Sequence, residues 1–91
     1  MVNVTVQPTP NPNSMKFTLD RRVIERGSKT YASSEAAQES PLAQAIFTVD
    51  GVSSVFLLND FITVTKKPEA DWEKIGPAVL QAIQNHFSKE G

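Results

Sequence analysis

A chain of 91 residues, 40% hydrophobic and 21% charged, has room for one domain around one core and lies outside the disordered class. Its net charge of -1, with no basic cluster denser than Arg21-Arg22 or Lys66-Lys67, leaves no electrostatic basis for binding DNA or RNA. No apolar run exceeds Val55-Phe56-Leu57-Leu58, far short of the roughly 18 residues a membrane span needs, and the N-terminus lacks the regions of a signal peptide; a cytoplasmic, water-soluble protein is expected.

In chain order, Val2, Val4 and Val6 share one face at period two and predict a first strand ending before Pro8. The run Pro8-Thr9-Pro10-Asn11-Pro12-Asn13-Ser14 follows. Its prolines remove three backbone donors, fix three φ angles and push the preceding residues toward extended backbone. The run therefore reads as a stiff, shaped connector, with Asn13-Ser14 suited to a tight reversal. Met15, Phe17 and Leu19 then predict a second strand, antiparallel to the first, with Lys16 and Thr18 facing outward.

Between Asp20 and Glu39 the only plausible strand is Lys29-Thr30-Tyr31-Ala32, with a helical turn over Ser33 to Gln38. Ser40-Pro41 starts a helix, serine capping the free amides and proline standing at the first helical position. Leu42, Ala45, Ile46 and Val49 form its inner face, and Asp50-Gly51 is the expected stop. Val52 to Leu58 and Phe61 to Lys66 predict a β-hairpin turning at Asn59-Asp60. From about Pro68 to Lys89, Trp72, Ile75, Val79, Ile83, His86 and Phe87 recur at helical spacing; Pro77 predicts a kink or a restart.

These elements predict one domain over 1–91 of class α+β: a two-layer sandwich, a mainly antiparallel sheet of about four to five strands with two helices on one face. Phe17, Phe61 and Trp72 are expected core anchors. Phe56 stands apart, because Phe56 or its neighbours Val55 and Leu57 must face outward or into a partner.

A catalytic set is hard to assemble. His86 is the single histidine and lacks the second and third ligands of a zinc site. Glu69, Asp71 and Glu73 are placed to stabilise a helix start. There is no nucleophile elbow, phosphate-cradling loop or dinucleotide fingerprint. The complete absence of cysteine agrees with a reducing compartment and excludes thiolate chemistry within these residues. No enzyme, cofactor or metal site is expected.

Thr9-Pro10-Asn11-Pro12-Asn13-Ser14-Met15-Lys16-Phe17, Ser40-Pro41-Leu42-Ala43, Gly51-Val52-x-Ser54-Val55-Phe56, Asp60 to Lys66, Asp71-Trp72 and Pro77 occur here in one order. On these residues the chain resembles the Nfu/NifU N-terminal domain family over nearly its whole length. In that family the domain precedes a second one whose Cys-x-x-Cys pair holds an iron-sulfur cluster between subunits and passes it on. The resemblance implies a stand-alone, non-enzymatic module that docks proteins of iron-sulfur cluster assembly or delivery, without cluster ligands of its own. The candidate partner-binding residues are Thr9, Pro10, Asn11, Pro12 and Asn13 in the connector, with Phe56 and Asp60 in the hairpin. The alternative is a small metal-binding or hydrolytic protein using His86 with nearby carboxylates.

Overall fold

The structure, a computed structural model describing residues 2–90, follows from period-two alternation. Strands Val4–Pro8 (β1), Ser14–Leu19 (β2), Ser28–Tyr31 (β3), Val52–Leu58 (β4) and Phe61–Lys66 (β5) form one antiparallel sheet in the order β1-β2-β5-β4-β3. Helices Pro41–Phe47 (α1) and Trp72–Glu90 (α2) cover one face. The expected α+β sandwich is what the chain adopts.

Directly opposed residues share a face of the sheet, so the register defines the core. Phe17 lies opposite Ile62, Ile62 opposite Leu57, Val64 opposite Val55, and Val55 opposite Tyr31. All are buried, and they meet Leu42, Ala43 and Ile46 of α1 and Ile75, Val79 and Ile83 of α2. Each fully buried side chain of this size contributes about 1.5–3 kcal/mol.

The first strand runs through Pro8 instead of stopping before it. Asp20 donates to the Asn3 carbonyl while Leu19 donates to that of Asp60. Antiparallel bonding alternates, so Thr5 and Gln7 bond inward to β2 while Val4, Val6 and Pro8 point their backbone groups off the sheet. Proline thus occupies a position where a missing N–H costs no ladder bond.

Ser40 caps α1, its hydroxyl accepting from the Ala43 amide at 3.2 Å. The helix ends at Phe47, short of the expected Asp50, because i→i+3 bonds take over: the Val49 amide donates to Ile46 and the Thr48 hydroxyl donates to Ala45. The short helical turn expected over Ser33 to Gln38 is a 3-10 turn, Ala36–Glu39.

α2 is one continuous helix of 19 residues containing Pro77, so the restart is not seen. Asp71 precedes it, its carboxylate accepting from the Glu73 amide at 3.0 Å and its carbonyl from Ile75 at 2.9 Å. The carbonyl deprived by Pro77 belongs to Glu73, an exposed residue of the first turn, where losing one donor costs less than in a buried turn.

At the tip of the β4–β5 hairpin Asn59 adopts a φ of 51°, a left-handed conformation asparagine tolerates. Gly51 enters β4 with φ 102°, and a Cβ there would lie 2.7 Å from Ile75 Cδ1 and 3.1 Å from Ala70 Cβ. Gly51→Ala is therefore expected to cost about 1–3 kcal/mol in equilibrium urea unfolding, with the m-value unchanged.

Candidate functional site

The proline connector is held by a closed set of hydrogen bonds. Ser14 donates its amide to the Asn11 carbonyl at 3.0 Å, closing a turn with Pro12 in its second position. Asn13, the third residue, has no positive φ, as a type I turn requires. The Asn11 carboxamide oxygen accepts from the Asn13 amide at 2.9 Å, and Thr9 Oγ1 accepts from the Asn11 amide at 3.1 Å. The same hydroxyl lies within hydrogen-bond distance of the Asn11 and Ser14 carbonyls.

Two contacts from distant sequence complete the set. The Trp72 indole N–H donates to the Pro12 carbonyl at 3.1 Å, and the Lys66 amide donates to the Asn13 carbonyl at 2.8 Å. Lys66 is buried, and its ammonium donates to Asn13 Oδ1 at 3.0 Å, the Lys67 carbonyl at 3.3 Å and the Pro68 carbonyl at 3.4 Å. Neutral oxygens thus replace its hydration shell. Ser14 Oγ and Thr65 Oγ1, opposite each other across β2 and β5, are 2.8 Å apart. Pro10, Asn11 and Pro12 remain exposed, while Thr9 and Asn13 are half-buried. The result is a fixed convex loop at one end of the sheet.

The other candidates lie elsewhere. Asp60 sits at the opposite end of β5, about 17 Å from the connector by strand rise. Its carbonyl accepts from Leu19, and that of Asn59 from Val23. Phe56 faces the uncovered side of the sheet, opposite Thr63 and Thr30, with Val55 and Leu57 turned inward. Phe61, an expected core anchor, also faces this side because Ile62 and Val64 take the inner positions. The Phe56 and Phe61 rings are 6.2 Å apart, and the Lys16 ammonium lies 4.5 Å from the Phe61 centroid, a cation–π contact. The open face is therefore a partly buried aromatic pair, with Leu58 opposite Phe61, bordered by threonines, serines and Lys16.

Lys66 and the Trp72 indole were absent from the sequence-level candidates. The signal for Lys66 was its period-two place on the face of Ile62 and Val64, where a lysine needs a partner. No comparable signal joins Trp72 to Pro12, sixty residues away.

Helical His86 packs edge-on against Phe87, centroids 5.0 Å apart, and helps to line a cleft of about 570 Å³ with Arg22, Lys29, Tyr31 and Glu39. Among the described residues no group of three His, Cys, Asp or Glu side chains is placed to hold a metal ion. Within the cleft Tyr31 Oη donates to Glu39 Oε2 at 2.9 Å, and Lys29 Nζ lies 3.4 Å from the same oxygen. These contacts, Tyr31 first, hold the Glu39 carboxyl below its ordinary range, while burial and then the Glu39 bond push the Tyr31 phenol upward.

Residues 4–90 match the profile of the family described as "Scaffold protein Nfu/NifU N terminal". The chain is 42% identical over 86 residues to the human NFU1 iron-sulfur cluster scaffold homolog, mitochondrial, covering 93% of this chain and 34% of that protein. It is 40% identical over 85 residues to NifU-like protein 5, mitochondrial, of Arabidopsis thaliana, covering 93% and 31%. The chain thus spans about a third of the length of these relatives. Both relatives are mitochondrial by name, which lends the cytoplasmic expectation no support; no helix among the described residues is long and apolar enough to cross a membrane.

Among solved structures, the NifU-like protein from Saccharomyces cerevisiae superposes with a TM-score of 0.84 at 26% identity, covering 97% of this chain and 80% of that one. The Staphylococcus aureus protein SAV1430 superposes with a TM-score of 0.77 at 35% identity, covering 87% and 95%.

Two measurements probe these contacts. Lys66→Met removes the ammonium and leaves its three oxygens short of a donor, so a loss of about 1–3 kcal/mol is expected. The Trp72 indole proton should then exchange faster in NMR while the Thr5 and Thr18 amides keep their protection. In the second, a depressed carboxyl stabilises the fold above its unfolded pKa and loses that contribution as pH falls through the folded value. Tyr31→Phe should therefore raise the Glu39 pKa and flatten the loss of stability as pH falls below the ordinary glutamate value of 4.5.

Profile match, sequence identity and shared fold agree across nearly the whole chain, and the protein belongs to the Nfu/NifU N-terminal domain family.

Proposed function

We propose that this chain is a non-enzymatic docking module for iron-sulfur cluster assembly or delivery, presenting its fixed proline loop to a protein partner. One observation carries the reading: the exposed edge of Pro10, Asn11 and Pro12 stands on a loop whose carbonyls are tied down by Thr9, Lys66 and Trp72. A surface ordered before binding loses less entropy on association. The aromatic pair on the open face, with Phe56, is a second contact region, and Asp60 marks its far end.

Clusters of this kind are held by thiolates, and none of the 91 residues is cysteine. The donor set of these residues does not fit a cluster, so any cluster this module serves is held by cysteines outside them. Nothing in the geometry favours the reading in which His86 and carboxylates do metal or hydrolytic chemistry.

The test pairs the chain with a cysteine-bearing cluster domain from a relative of this family, measuring binding by calorimetry and cluster transfer to a recipient by circular dichroism. Pro10→Ala with Pro12→Ala is expected to weaken binding by about three- to tenfold while shifting the melting temperature by only a few degrees, roughly what 1 kcal/mol does in a domain of this size. Equal binding by the double variant would reduce the loop to scaffold. Absence of both binding and any effect on transfer would remove the docking function itself.

A further inference from the structure

The two edges of the sheet differ in how they are protected. Edge strands present unpaired N–H and C=O groups and are usually blunted by charge, proline or a covering element. The β3 edge carries Lys29, paired with Glu39 at 3.4 Å. The β1 edge, Val4-Thr5-Val6-Gln7-Pro8, carries no charged side chain, and every residue from Thr5 to Pro8 is exposed. Val6, 42% exposed, is the single large hydrophobic side chain left in the open among the described residues.

The ladder fixes what this edge offers. With Thr5 and Gln7 bonded to β2, the outward groups are the N–H and C=O of Val4 and Val6 and the C=O of Pro8. An antiparallel mate centred on Val6 would place Val6 opposite Val6 and Val4 opposite Pro8. Each Val6 N–H then meets the other Val6 carbonyl, and each Val4 N–H meets a Pro8 carbonyl. Both outward donors of each edge are satisfied, giving four bonds across the two-fold axis; the Val4 carbonyls, which face the prolines of the mate, receive no donor from it. The partial charges of this edge are complementary to the same edge turned by a two-fold axis, as an isologous interface requires.

Formal charge permits the arrangement, since β1 has none and the whole chain carries only -1. The mate's Val6 would cover the exposed Val6 on the helix side. There α2 runs along β2, from Trp72 beside Pro12 to Phe87 beside Arg21.

We propose that the β1 edge is a self-association site, where a second copy of this chain adds antiparallel through Val4, Val6 and Pro8 to make one continuous sheet. The contact is short, so the dimer is weak and concentration-dependent. It leaves the proline loop of each copy free and is independent of the docking reading.

Sedimentation velocity of the full chain from about 10 µM to about 1 mM, the range in which interfaces under roughly 1,000 Å² are populated, is expected to show a growing dimer fraction. At the top of that range the Val4 and Val6 amides should be protected from hydrogen exchange. Val6→Pro removes an outward N–H without touching the ladder to β2, and is expected to raise the dimer dissociation constant at least tenfold. Val6→Lys, which charges the edge and keeps the amide, should act in the same direction, with circular dichroism confirming the fold of both variants. A chain that stays monomeric throughout overturns the proposal, even if an extended peptide from another protein binds β1. So does a dimer that both folded variants retain.

Discussion

From Pro8 to Ser14 the chain has more backbone acceptors than donors, because three of its residues carry no amide hydrogen. A loop in that state either stays fully hydrated or borrows donors from elsewhere. Here it borrows them: the Lys66 amide and ammonium and the Trp72 indole reach its carbonyls or the Asn13 side chain, beside the bonds made by its own Thr9 hydroxyl. The prolines thereby tie the β1–β2 connection to the end of β5 and the start of α2. Lys66 also donates to the carbonyls of residues 67 and 68, so one buried ammonium joins the loop, the exit of the sheet and the approach to the long helix.

This arrangement explains how a rigid surface and an ordinary one-sided core coexist in a small domain. Ile62, Val64 and Lys66 alternate onto the helix side, the first two filling the core and the third closing its end. The alternate residues of the strand, Phe61, Thr63 and Thr65, fall on the open side, where Phe61 meets Phe56 and Lys16. A single strand thus supplies the core, the loop anchor and part of the partly buried aromatic pair. The loop and the Asn59-Asp60 turn cap opposite ends of that strand, so a partner touching both must span the length of the sheet.

Much of this was legible in the chain. The alternation of Met15, Phe17 and Leu19, the hairpin from Val52 to Lys66, the Ser40-Pro41 helix start and the apolar stripe of α2 each depend on neighbours within a few residues, so local pattern identifies them. Boundaries were less secure, because they depend on which backbone bond wins. The first strand passes through Pro8 since that amide position faces away from β2, and α1 stops at Phe47 since three-residue bonds replace four-residue ones. Phe61 moved from core to open face because one residue of register exchanges the two sides of a strand.

The sequence by itself determined the layer architecture, the family, the stiffness of the proline run and the lack of any thiolate donor, because these follow from residue type, local spacing and composition. Only the tertiary structure decided which distant groups would satisfy the loop: Trp72 reaching Pro12 and Lys66 reaching Asn13 are contacts between segments more than fifty residues apart. It also decided that the uncharged first strand became a bare edge. Hydrogen-bond partners and edges belong to the pairing order of the sheet, and that order is fixed by the whole core closing at once.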